Sequence, residues 1–250
     1  MPTLLSLVKK GSDLKRPRRT LIYGPEGCGK STWAAQWPGH LFLQTEDGLG
    51  DIECTKLPGL VRDLDQVFRV ITELYEAKHT YKCLVIDTLD WLERLVFKRV
   101  CADHRKTSIE DIGYAKGYIF ALKYWNELLE GFNGLLLERD MDICLIAHSS
   151  IDKFRDPTSE AYDRYAPKLD KRAQPLLIEW CDEVLFCRHR VLVQTDDEGF
   201  GRTRARATGA GSRLMYTEAR PAWVAKHRMR NLPPEIPLDF SEYSKIRWGK

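Results

Sequence analysis

The stretch GPEGCGKS, residues 24–31, sets Gly24 and Gly29 around four residues and follows them with Lys30 and Ser31. This matches G-x-x-x-x-G-K-[ST]. The glycines let the main chain curl so that several N–H groups face one point. A lysine reaches into the ring and a hydroxyl stands beside it. That set suits a polyphosphate with a hard cation. Gly24, Pro25, Glu26, Gly27, Cys28, Gly29, Lys30, Ser31 and Thr32 are expected to wrap the phosphates of ATP. Lys30 would reach the β- and γ-phosphates, and Ser31 would ligate Mg²⁺.

A second acid for the metal comes from YKCLVIDT, residues 81–88, where Asp87 closes an apolar run. Ligands gather at such strand ends in α/β sheets. Hydrolysis also needs a group that orients water. Many P-loop ATPases carry a Glu directly after the Walker B Asp, but Thr88 stands there in this chain. LFLQTEDGLGD, residues 41–51, offers Glu46, with Asp47 as the alternative. In DICLIAHSS, residues 142–150, His148 ends another apolar run. Residues 150–172 then interleave Lys153, Phe154, Arg155, Tyr162, Arg164, Tyr165, Lys168, Lys171 and Arg172. Cations track phosphates and aromatic rings stack on bases, so the segment suits single-stranded nucleic acid. Asp156, Glu160, Asp163 and Asp170 dilute its charge, and an ordinary surface loop is the other reading. Lys226 and Arg228 share a side if 222–228 is a strand, and Arg202, Arg204 and Arg206 alternate similarly.

These residues need a scaffold that brings distant segments together. The apolar runs at 18–23, 41–44, 83–86, 143–147 and 184–187 predict strands, and helical spacing predicts helices over 30–37, 63–77, 90–102, 114–132 and 176–180. Residues 149–172 read as a long polar loop, and 189–195, 201–207 and 222–228 as short β pieces. Alternating strands and helices imply an α/β fold, a mainly parallel sheet flanked by helices, with an antiparallel extension at the C-terminal end. The expected organisation is a basic N-terminal segment (1–17), a core (18–232) and a C-terminal tail (233–250).

With 250 residues the chain can bury a sizeable core, and 43% hydrophobic with 30% charged residues is ordinary for a globular protein. No apolar run reaches the length of a membrane span. The N-terminus turns basic too early for a signal peptide, so a cytoplasmic location is expected. Seven cysteines without a C-x-x-C pair read as reduced thiols and not as a zinc site. The net charge is only +3, yet residues 202–230 hold eight Lys/Arg against the single acid Glu218. Such local basic surface suits nucleic acid or phosphate.

The order of P-loop, Glu46, Asp87, His148, basic loop and Lys226/Arg228, over residues 18–232, resembles the RecA-type recombinases. GPEGCGKST, LVIDTLDWLERL and YDRYAPKL carry a closer resemblance to phage-encoded RecA-like ATPases that act in single-strand annealing or recombination. The resemblance implies a RecA-like P-loop NTPase in which Glu46 orients the attacking water and His148 senses the γ-phosphate. It makes residues 150–172 the second DNA-binding loop, with Lys153, Phe154, Arg155, Tyr162, Arg164, Tyr165 and Lys168 as its contacts. It also implies a homo-oligomer in which Lys226 and Arg228 enter a neighbour's site, with single-stranded DNA and a single-strand DNA-binding protein as partners. His148 stands where RecA itself has glutamine, which favours annealing over strand exchange. A helicase loader or helicase-like motor and a small-molecule kinase are the competing classes. ATPase stimulation by single-stranded DNA separates them from the first reading.

Overall fold

The computed structural model describes residues 16–158, 160–190 and 211–249, and the main chain of 191–197 and 203–210. The basic segment through residue 15, Arg202 and the side chains of Arg204 and Arg206 lie outside the described residues. Strands β1 (Arg19–Gly24), β2 (His40–Gln44), β3 (Cys83–Asp87), β4 (Asp142–Phe154), β5 (Tyr162–Pro167), β6 (Glu183–Asp197), β7 (Thr203–Tyr216) and β8 (Glu235–Pro237) are joined with helices α1 (Lys30–Ala34), α2 (Leu64–Glu76), α3 (Leu89–Asp103), α4 (Lys116–Glu138), α5 (Ala173–Trp180) and α6 (Phe240–Trp248). The sheet order is β2-β3-β4-β1-β6-β7-β8, with β5 paired to β4. From β2 to β6 the neighbours run parallel, while β7 and β8 extend the sheet antiparallel.

The central strands are continuous apolar runs because helices cover both faces. Their period of two divides the core. Leu21, Tyr23, Leu43, Ile86, Leu145 and Phe186 face the cluster that includes α2, α3, α4 and α5. Ile22, Phe42, Val85, Ile146 and Cys187 face the cluster formed with α1 and α6. Helix α2 shows the local rule. Asp63 caps it by accepting from the Gln66 N–H at 2.8 Å, and Leu64, Val67, Ile71 and Leu74 form its buried stripe.

Three expectations are corrected. Residues 149–172 are not a loop: β4 runs on through Phe154 and pairs antiparallel with β5, Phe154 opposite Tyr162. The polar, two-sided sequence Ser149 to Lys153 hid that strand, since neither face is an apolar stripe. Residues 222–228 form no strand, and Trp223 and Lys226 make isolated bridges to Tyr165 and Val184. Residues 233–249 are no tail, for they supply β8 and α6, whose Phe240 and Tyr243 are buried against Trp33 and Trp37. The ring centroids there lie 5.0–6.0 Å apart, mostly edge-on or tilted.

Candidate functional site

The loop after β1 turns at the level of His148, because Gly24 is the last residue of β1 in register with β4. Gly24 is required by a close approach: a Cβ there would lie 2.0 Å from the Cys187 carbonyl oxygen on β6. Gly27 and Gly29 have φ of 70° and 99°, the left-handed region that glycine tolerates. The Lys30 side chain is buried, and its Nζ donates to the Gly24 and Pro25 carbonyls at 2.9 and 2.8 Å. The Cys28 and Cys187 sulfurs are 3.0 Å apart. That contact, with Lys30 nearby, brings the Cys28 thiol down to about 7.

Asp87 ends β3 at the same edge of the sheet and is buried. Burial pushes its carboxyl up to about 6, against a hydrogen bond from Ser31 that favours the charged form, and Glu46 adds repulsion. Ser31 and Asp87 thus face each other. A hydroxyl and a carboxylate are hard oxygen donors, a pair that fits Mg²⁺, which takes few protein ligands and keeps its waters.

Glu46 follows β2, and its position is built by Thr45. The Thr45 hydroxyl donates to the Thr88 carbonyl at 2.7 Å and accepts from the Thr88 N–H at 2.8 Å. This reciprocal pair pins the end of β2 to the end of β3. Glu46 Oε2 then accepts from the Thr88 hydroxyl at 3.1 Å, and it lies 3.9 Å from His148 Nδ1. Thr88, the departure from the Glu of other P-loop ATPases, therefore holds Glu46 in place. No described contact ties Asp47 to this group.

Sequence reasoning missed Asp90. Its carboxylate accepts from the His148 main-chain N–H at 3.1 Å and faces the ring Nδ1 at 3.0 Å. The hydrogen bond to the Asp90 carboxylate raises the His148 pKa, so the ring carries more positive charge at neutral pH. Burial pushes Asp90 up, but the bonds from His148 outweigh it and hold the carboxyl below its ordinary value. The signal was an acid one helical turn after Asp87, in the first turn of α3. Donor atoms of Glu46, Asp90 and His148 all lie within 4.8 Å of one another.

The remaining expected residues divide. β4 carries the chain directly from His148 to Lys153 and Phe154, and the Lys168 N–H donates to the His148 carbonyl at 2.9 Å. Phe154 and Tyr162 contact each other with centroids 5.5 Å apart, and the Arg164 guanidinium sits 3.8 Å over Phe154. Lys153, Arg155 and Lys168 are exposed. Tyr165 does not belong with them. Its ring stacks on Phe186 at 5.1 Å and packs, partly buried, against the core. Lys226 and Arg228 point toward the other end of the sheet. Lys226 Nζ donates to the Glu179 carbonyl and Arg228 to Asp182, both at 3.1 Å. Neither reaches the Walker A loop of its own chain.

The family model described as AAA domain matches residues 16–229. The chain belongs to the AAA domain family. Among solved structures, it is similar to the RadB recombinase with a TM-score of 0.50 and 15% identity, over 89% of this chain and 87% of that one. That likeness is one of fold, and it makes this AAA domain RecA-like: a mainly parallel sheet between helices with antiparallel strands at its C-terminal end. Comparison with curated protein sequences gave no match. No described helix is long and apolar enough to cross a membrane.

Proposed function

We propose that this AAA domain binds and hydrolyses ATP and couples that reaction to single-stranded DNA. One observation carries the reading. The Walker A loop, Asp87 beside Ser31, and Glu46 bonded to Thr88 all converge at the end of the sheet where the parallel strands finish.

The chain's own groups have separable tasks. The loop main chain cradles the phosphates, and Lys30 exchanges the Gly24 and Pro25 carbonyls for phosphate oxygens. Mg²⁺, bound through Ser31 and Asp87, would neutralise charge on the β- and γ-phosphates. Glu46, oriented by Thr88, accepts the hydrogen bond of the attacking water and aligns it. His148, oriented by Asp90, stands beside Glu46, where it answers the γ-phosphate. The same strand continues into the β4–β5 hairpin, so a shift of His148 is passed along one rigid element to Lys153, Phe154, Arg155, Tyr162 and Arg164. Cations and rings side by side support a single strand bound without sequence readout.

The activity is then annealing or pairing of single strands in phage-type recombination, in keeping with the sequence resemblance. In this reading the working form is a homo-oligomer. Lys226 and Arg228, turned away from their own site, act in a neighbouring copy. The test is ATP turnover of the purified chain with and without single-stranded DNA, beside Glu46→Gln. The reading expects stimulation by DNA and a variant that binds ATP yet hydrolyses it poorly. Turnover indifferent to DNA removes the DNA half of the proposal, and undiminished turnover in Glu46→Gln removes Glu46.

A further inference from the structure

Arg213 lies on β7, distant in sequence from every Walker element. The β6–β7 register sets it opposite His189, two residues beyond the Cys187–Met215 pair. Pairs alternate between faces, so Arg213 shares the face of Cys187 and Met215, the one covered by α1 and the Walker A loop. Its main chain is fixed on the far side as well, where the carbonyl accepts from the Leu238 N–H at 2.9 Å.

The side chain reaches the loop. A Cβ built on Gly29 would lie 2.2 Å from Arg213 Nη1 and 3.2 Å from Cζ. The guanidinium therefore rests on the α-carbon of Gly29, directly before Lys30. Several other arginines of the structure are neutralised: Arg18 by Glu183, Arg19 and Arg228 by Asp182, Arg99 by Asp65, Arg247 by Asp142. Among the described residues the Arg213 guanidinium has no carboxylate partner, and the residue is exposed. An unpaired planar cation is thus held by a paired strand against the main chain of a phosphate-binding loop.

We propose that Arg213 binds the phosphate chain of the nucleotide in the same chain, as a second cation beside Lys30. The proposal rests on the nucleotide reading above. Its ligand class is nucleoside diphosphates and triphosphates. The loop main chain cradles the α- and β-phosphates, while the lysine reaches β and γ. A guanidinium on Gly29 therefore meets the phosphates that ADP and ATP share. A guanidinium can hold two phosphate oxygens at once, which an ammonium cannot, so lysine is an incomplete substitute.

The experiment is calorimetric titration of the full chain with Mg²⁺-ADP and Mg²⁺-ATP, for wild type, Arg213→Ala, Arg213→Lys and Lys30→Ala, each checked for an unchanged melting temperature. Loss of one charge-assisted contact should weaken both nucleotides by about ten- to a hundred-fold in Arg213→Ala. Arg213→Lys should recover part of it. The loss should be equal for ADP and ATP, and should persist at dilutions where sizing shows a monomer, since the contact is within one chain. Wild-type affinity in Arg213→Ala overturns the proposal, as does a loss confined to ATP, which would mark a γ-phosphate sensor. If Lys30→Ala binds as wild type, or wild type binds neither nucleotide, the nucleotide reading fails and this proposal with it. Intact wild-type binding that Lys30→Ala destroys and Arg213→Ala spares counts against Arg213 alone.

Discussion

Where the parallel strands begin, every buried charge has a partner. Asp182 accepts from Arg19 through both carboxylate oxygens and from Arg228, Glu183 is met by Arg18, Thr20 and Tyr243, and Asp142 by Arg247 and the Trp37 ring N–H. Burial pushes Asp182 up, but the Arg19 guanidinium outweighs it and holds the carboxyl below its ordinary value. Where the same strands finish, Asp87, Glu46 and Asp90 share one histidine and a few hydroxyls, and Lys30 is turned to main-chain carbonyls. One sheet thus carries a saturated end and an unsaturated end. The first fixes the fold, since a densely paired buried network favours one arrangement. The second keeps charge in reserve for a ligand, and burial there pushes the Asp87 carboxyl above its ordinary range.

The contrast can be broken by experiment. Lys30→Ala, at the unsaturated end, should lower ATP turnover by roughly two to four orders of magnitude while the urea midpoint of the empty protein stays put. A variant that hydrolyses normally would mean the loop is not the site. Asp182→Ala, at the saturated end, leaves Arg16, Arg19 and Arg228 without their acid and should cost about 3–5 kcal/mol of stability, read by urea unfolding. Turnover per folded molecule should hardly change. A fold untouched by that change would show that the arginine cluster does not brace the sheet.

Glu93 sharpens the picture near the working end. It accepts the Asp170 N–H at 3.0 Å, yet burial pushes its carboxyl up to about 8. The folded value lies above the unfolded one, so the stability this group contributes is fully present below about pH 4.5 and is lost as pH rises through 8. Glu93→Gln keeps an acceptor and removes the charge. It should gain about 5 kcal/mol over wild type at pH 9 and nothing at pH 4. Parallel stability curves for the two proteins across that range would refute the assignment. The smallest effect belongs to the hairpin. Phe154→Ala should weaken single-strand binding by about 1–3 kcal/mol with little change in melting temperature. Equal affinity in wild type and variant would move DNA binding to another surface.

Much was legible in the chain itself. The five parallel strands were, because burial on both faces leaves uninterrupted apolar runs. The Walker A loop and Asp87 were legible because their chemistry fixes residue types at short range. Glu46 was legible only as one of two neighbouring acids, and its bond to Thr88 was not legible at all. The β4–β5 hairpin was not legible, since Ser149 to Lys153 alternate no apolar side. Nor was the docking of α6, whose Phe240 and Tyr243 take their meaning from Trp33 and Trp37, two hundred residues away.

Local order in the sequence set the loop, the strands and the acid at each strand end, because phosphate cradles and buried strands are short-range patterns written in consecutive residues. Register and pairing across the sheet set the rest: Asp90 on His148, Tyr165 drawn into the core and out of the basic surface, Lys226 and Arg228 at the far end, Arg213 on Gly29. Those are meetings between segments scores of residues apart. The geometry of the closed sheet decides which side chains face one another, and composition along the chain carries no trace of it.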